Sequence, residues 1–189
     1  MTEEVSRQMK RGWTTRDIMV TAILSIIMGV VYIPLTYLTG YLGAFPFINA
    51  IIIGIYFWPI IMIGYIIRKP GSALLSSLIA FLVMVPLTPW GIMMLSMGLL
   101  IGLPIEIAFL IGRYKFKLWS LMLAGIFSGL SYATMNLTVY GLINVSPLLQ
   151  IAFFVETIVS GILLGGLLAK FIGDAVIKTG IVSNASTKS

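Results

Sequence analysis

Residues 18–38 read IMVTAILSIIMGVVYIPLTYL, 21 positions without a charged side chain. About 20 mostly apolar residues carry an α-helix across the hydrocarbon core of a bilayer. This stretch therefore reads as a membrane-spanning helix, and the rest of the chain repeats it. Residues 45–67 follow with 23 uncharged positions, and residues 72–87 with 16. Residues 91–112 hold one carboxylate, Glu106; residues 118–143 are uncharged; residues 147–171 carry Glu156 and Lys170. Six spans is the simplest count. Pro59 is expected to kink the second, and Pro46 to belong to the loop before it.

Composition agrees. The 189 residues are 59% hydrophobic and 10% charged, with a mean hydropathy of +1.08. A soluble domain carries about 25% charged residues, so this chain cannot cover itself with a solvated surface. Soluble enzymes and nucleic-acid-binding domains are excluded despite a net charge of +6. There is no His and no Cys, hence no imidazole relay, no thiol nucleophile and no His/Cys metal site. Of six acidic residues, Glu3, Glu4 and Asp17 precede the first span, which leaves Glu106, Glu156 and Asp174 in the apolar body. No G-x-x-x-x-G-K-[ST] loop occurs, so any energised work draws on a partner or an ion gradient. No catalytic pair, metal cluster or cofactor motif is visible, and none is expected.

The connectors report topology. Arg7, Lys10, Arg11 and Arg16 precede the first span, Arg68 and Lys69 join the second to the third, and Arg113, Lys115 and Lys117 join the fourth to the fifth. Lys170, Lys178 and Lys188 lie at the C-terminal end, while residues 39–44, 88–90 and 144–146 carry no charge. The positive-inside rule then places both termini in the cytoplasm. The first apolar run is too long for a signal peptide and no small-residue cleavage site ends it, so it reads as retained. The expected architecture is an all-α, polytopic six-helix bundle, one transmembrane domain over residues 1–182 with a flexible tail at 183–189. The basic balance serves topology and attraction to anionic lipid; no nucleic-acid partner is expected.

Small residues recur four apart in several spans: Ser25/Gly29, Gly98/Gly102, Gly125/Gly129 and Gly161/Gly165. Such pairs let helix backbones approach closely, either within the bundle or against a partner. Ala22, Ser25 and Gly29 form the smoothest stripe. A carboxylate inside a span costs about 2.5–3.5 kcal/mol at mid-membrane, so each is a candidate for function. Glu156 lies about 13 Å below the outer surface, with Ser160 one turn further in. Glu106 lies two turns before Arg113, on the same face, which suggests an inner-side structural or gating pair.

The outer half is rich in aromatics and amides, among them Tyr41, Phe45, Asn49, Trp90, Tyr132, Asn136 and Tyr140. An interfacial belt explains many of the rings. It does not explain Asn136, about 10 Å below the outer end of its helix, where an amide requires hydrogen-bond partners. Tyr132, Asn136 and Tyr140 share a face. Rings, a buried amide and Glu156 would suit a flat, polar ring compound.

Five stretches carry a resemblance to a known family: Gly54-Ile-Tyr-Phe, IRKPGSALL at 67–75, Glu106-Ile-Ala-Phe-Leu with Arg113-Tyr-Lys, Met122-Leu-Ala-Gly, and SGILLGGLLAK at 160–170. Over about residues 18–182 the chain resembles the substrate-binding S components of energy-coupling factor (ECF) vitamin transporters, most closely the YkoE-type thiamine/hydroxymethylpyrimidine (HMP) subfamily. The resemblance implies a six-helix bundle in the plasma membrane of a prokaryote. It implies a small vitamin-like substrate held near the outer side, under the loop after the first span. Its partners would be a transmembrane T component and two cytoplasmic ATPases, with Ala22, Ser25 and Gly29 as the docking face. Where the subfamily has carboxylates near the start of the second span, in the third and in the fifth, and an arginine in the sixth, this chain has Ala50, Met84, Asn136 and Thr157. Glu156 stands beside the last, and Glu106 is kept.

The expected function is therefore capture of a thiamine-related or other small vitamin-like compound through Tyr41, Phe45, Asn49, Trp90, Tyr132, Asn136, Tyr140, Glu156 and Thr157. Two other readings stand beside it: an ion-coupled permease with Glu106 and Glu156 as successive proton sites, and a membrane enzyme or assembly factor using Glu156 as an acid or base. The topology is directly testable in this cysteine-free chain. An impermeant thiol reagent should label Asn144→Cys on intact cells and Lys115→Cys only after permeabilisation; the opposite pattern would invert the protein.

Overall fold

Thr14 opens the first helix. Its hydroxyl accepts from the Asp17 amide at 3.2 Å, and the Asp17 carboxylate accepts from the Thr14 amide at 3.1 Å. This reciprocal pair satisfies donors left free at a helix start. In the computed structural model, which describes residues 12–42, 45–115, 117–139 and 141–178, helix α1 then runs Thr15–Leu42. The second span is broken into α2 (Pro46–Ile52) and α3 (Gly54–Ile67). It is followed by α4 (Ser72–Met84), α5 (Met93–Ile111) and α6 (Leu118–Val139). A 3₁₀ turn over Leu142–Asn144 leads to α7 (Pro147–Ser160), which passes through a π-helical stretch, Gly161–Leu167, into α8 (Leu168–Lys178). No strand occurs among the described residues. The tail at 183–189 lies outside them.

Six spans are present, five of them long and apolar enough to cross a membrane unaided. The exception is α4, whose 13 residues reach about 20 Å; residues 85–92 complete the third span as turns. Pro59 does not break the second span. It sits buried inside α3, and the interruption falls at Ile53, more than one turn upstream, while Pro46 begins α2 instead of preceding it.

The order around the bundle is first span, third, fourth, fifth, sixth and second, with α3 also reaching α4 and α6. The second span is 78% buried within the protein and the first only 22%, which makes one the hub and the other the rim. Every residue from Pro59 to Ile67 is buried, as expected of a helix apolar on all sides. By contrast α1 buries one narrow stripe, Thr21, Ser25, Gly29, Tyr32 and Thr36. The remaining face, including Ile23, Ile26, Ile27 and Val30, points outward.

Most hydroxyls in the spans find a protein acceptor, as hydrocarbon requires; the buried Ser72 and Ser120 hydroxyls, each in the first turn of its helix, have no partner. Ser25, Thr36, Ser128 and Thr157 donate to the carbonyl one turn back. Others tie helices together: Ser77 to Gly98 O at 2.6 Å, Ser131 to Leu100 O at 2.8 Å, and Tyr32 to Tyr56 O at 2.6 Å. Ser160 repairs the break in the second span. Its hydroxyl donates to Ile51 O at 2.5 Å and accepts from Gly54 N at 3.0 Å, filling two backbone positions around the interruption.

The fifth and sixth spans meet backbone to backbone. A Cβ added at Gly125 would collide with Gly161 O, one at Gly161 with Gly125 O, and one at Gly129 would lie 2.6 Å from Thr157 O. Gly125 and Gly161 thus meet directly, whereas Gly129 sits against Thr157 and Gly165 turns towards Phe57 of the second span. Gly125→Val should cost about 3 kcal/mol through overpacking, seen as a lowered thermal midpoint in detergent. Gly40→Ala, where nothing lies within 4 Å, should be neutral or slightly stabilising.

Candidate functional site

The end of the bundle with uncharged loops encloses a cavity of about 600 Å³, a volume that suits a small organic ligand. Its wall draws on all six spans. The first supplies Thr36, Thr39 and Gly40, the second Asn49, Ile53 and Tyr56, and the third Phe81 and Met84. Trp90, Met93, Met94 and Met97 come from the turn before α5 and from α5 itself; Tyr132, Met135 and Asn136 come from α6, and Phe153 from α7. None of the lining residues is charged.

Its polar groups are few and placed. Tyr56 OH lies 3.2 Å from Thr36 Oγ1 and 3.1 Å from Thr39 Oγ1. Both threonines donate to backbone carbonyls of α1, Thr36 to Tyr32 O and Thr39 to Leu35 O and Thr36 O. The Tyr32 ring stacks against Tyr56 at 5.1 Å and Phe81 at 5.8 Å, which fixes that corner. Asn136 spends one N–H on Tyr132 O at 2.9 Å, and its Oδ1 accepts nothing among the described residues. The Asn49 Oδ1 is buried and also without a partner.

Four residues expected from sequence, Asn49, Trp90, Tyr132 and Asn136, come together in this wall. Tyr41, 84% exposed, and the exposed Phe45 stand outside it. Tyr140 lies outside the described residues. Thr157 is buried but turned back on its own helix, donating to Phe153 O and Phe154 O at 3.0 Å. Glu156 is half-buried, away from the cavity, with one carboxylate oxygen unpartnered. The axial rise explains this: Phe153 lines the cavity, and Glu156 and Thr157 lie about one turn deeper along the same helix. The expected docking stripe is also spent internally. Ser25 is fully buried, and a Cβ on Gly29 would lie 2.6 Å from Ala80 O, so both seat α1 on α4; Ala22 is half-buried.

Five wall methionines, with Thr36, Thr39 and Tyr56, were not anticipated. A signal existed in the spacing of Tyr32, Thr36 and Thr39, which repeats one helical face. Among the methionines only Met84 stood out, by its place where the subfamily has a carboxylate; the other four gave no signal, since a thioether at helical spacing reads as ordinary core.

At the opposite end Glu106 has a settled role. Its carboxylate accepts from the amides of Gly71 at 2.6 Å, Ala73 at 3.1 Å and Leu74 at 3.4 Å, and from the Tyr114 hydroxyl. It therefore caps α4 from another helix, where no side chain of the turn itself does so. The turn is set by two left-handed residues, Arg68 at φ 55° and Gly71 at φ 84°. Trp13 locks it from outside, donating to Pro70 O at 3.1 Å. Burial, then the Glu106 carboxylate, push the Tyr114 phenol well above its ordinary value, so it stays a donor. The expected pair with Arg113 is not formed: Arg113 is exposed, and Tyr114 takes its place. A left-handed backbone at both residues, φ 51° and 50°, reverses the chain and brings the ring back over the carboxylate.

Six spans around an uncharged cavity define a membrane-embedded protein that binds a small molecule. Residues 16–131 match the family model described as ABC-type cobalt transport system, permease component. The chain is 37% identical over 179 residues to YkoE of Bacillus subtilis strain 168, whose name describes it as an HMP/thiamine permease protein, covering 92% of this chain and 89% of that one. It superposes on the crystal structure of an S component of an ECF transporter with a TM-score of 0.86 and 36% identity, over 90% of this chain and 89% of the other. The chain belongs to this family of ECF transporter S components: a multi-pass plasma-membrane subunit of a prokaryotic transporter, not an enzyme.

Glu106→Ala should cost about 3 kcal/mol, since it leaves several donors unpaired, and Tyr114→Phe about 1 kcal/mol. Thermal unfolding in detergent reads both. Equal losses would show that the hydroxyl, not the helix cap, carries the stabilisation.

Proposed function

We propose that this chain captures a thiamine-related or other small vitamin-like compound from the outer side of the membrane and passes it inward with a T component and two cytoplasmic ATPases. The observation that carries this reading is the cavity itself. It lies at the end whose loops carry no charge, which the positive-inside rule assigns to the exterior. Its size, its aromatic faces and its two amides suit a flat heteroaromatic ligand. The name of the Bacillus relative points to the same chemistry. A divalent metal ion, as the family description would suggest, lacks a ligand set: the wall offers no carboxylate, imidazole or thiolate, and no group of three His, Cys, Asp or Glu gathers among the described residues.

An ion-coupled permease is less well supported. It needs Glu106 free to load and release protons, yet that carboxylate is held by three backbone amides and a phenol. Partner contact on the first helix falls to the exposed face of Ile23, Ile26, Ile27 and Val30, with Ala22 at its edge, because Ser25 and Gly29 are enclosed.

Purified protein should bind HMP or thiamine without ATP, quenching tryptophan fluorescence through Trp90. Asn136→Leu should weaken binding about tenfold, the worth of one good hydrogen bond, and Glu156→Gln should leave it unchanged. Binding that depends on Glu156 and ignores Asn136 would place the site elsewhere.

A further inference from the structure

The cavity wall also specifies the charge of what it takes. Twenty residues line it and none is Asp, Glu, Lys or Arg. The neighbouring carboxylates are engaged or turned away: Glu106 caps α4 at the far end, Asp174 is paired with Lys170 at 2.6 Å, and Glu156 is absent from the wall. A permanent cation entering this pocket leaves water without meeting a counter-charge, and desolvating an unpaired ion is costly. Aromatic faces return only about 1–2 kcal/mol of this.

The hydroxyls supply no counter-charge and are already engaged. Thr36 and Thr39 have committed their protons to α1 carbonyls, and Tyr56 OH is held between them. What remains open is a pair of amides. Asn49 has its Oδ1 buried and unpartnered, and Asn136 has used a single N–H. An amide offers an acceptor and a donor side by side. That edge complements a ring carrying an amino group next to a ring nitrogen, the pairing by which asparagine reads adenine.

We propose that the pocket selects an uncharged heteroaromatic amine over a permanently cationic one, with Asn49 and Asn136 presenting their amides to its polar edge. This rests on the vitamin-binding reading above and sharpens it. The two classes are available as one-ring and two-ring forms of the same pyrimidine: HMP is neutral at pH 8, and thiamine adds a thiazolium cation.

Isothermal titration at pH 8 should find HMP bound at least tenfold more tightly than thiamine by the unaltered protein. Asn136→Asp places a carboxylate in the wall with almost no change of shape, and should move the ratio at least tenfold towards thiamine. Met97→Glu, at a half-buried wall position, should move it the same way and serves if the first variant does not fold. Thiamine binding as tightly as HMP, or a ratio unmoved by an added carboxylate that folds, would overturn charge selection while leaving vitamin capture intact. Binding of neither compound by the folded protein would overturn the vitamin reading and charge selection together.

Discussion

A helix broken within hydrocarbon exposes backbone groups that water cannot reach, and the site depends on how this protein meets that constraint. The second span stops at Ile52 and restarts at Gly54. Ser160, on the sixth span, fills both Ile51 O and Gly54 N with one hydroxyl. Asn49, Ile53 and Tyr56 recur at i, i+4 and i+7 across the interruption, so one face of this segment reaches the cavity. The sixth span can approach that closely because Gly54 carries no side chain, since a Cβ there would collide with Ser160 O, while Gly161 meets Gly125 of the fifth span. Its π-helical stretch over Gly161–Leu167 begins directly after Ser160. Packing and repair are thus one arrangement.

The two ends of the bundle divide the work. At the charged end, Glu106, Tyr114, Gly71 and Trp13 bind three connections together through a carboxylate, a phenol, backbone amides and an indole. At the other end the wall is assembled from rings, thioethers and two amides, with no charge to hold it. Such a wall adapts through methionine side chains, while its threonine–tyrosine corner stays fixed. A subunit that must bind and then release a small molecule is served by this asymmetry.

Much of this was legible in the residues. The six spans follow from hydropathy, and the choice of the uncharged end follows from where Lys and Arg are missing. Asn136 stood out because an amide that deep has to be answered, and the structure places it in the cavity wall. Glu156 stood out for the same reason, yet it lies about one turn deeper than Phe153, the sixth-span residue that lines the cavity. Position along each helix was readable in both cases, and how deep the cavity reaches was not. The small-residue stripe on α1 shows the same limit, since Ser25 and Gly29 suit a partner helix and a neighbouring one equally.

By itself the sequence determined that the chain belongs in a membrane, how many times it crosses, and that it has almost no chemistry beyond binding. Those properties are local or additive, set by transfer free energies and by charge at helix ends. Only the tertiary structure decided which faces meet, that Glu106 caps a helix and leaves Arg113 aside, and that five methionines share a wall with two amides whose oxygens lack a partner. Apolar residues around a helix are equivalent until a neighbour packs against one side, and the neighbours here come from distant parts of the chain.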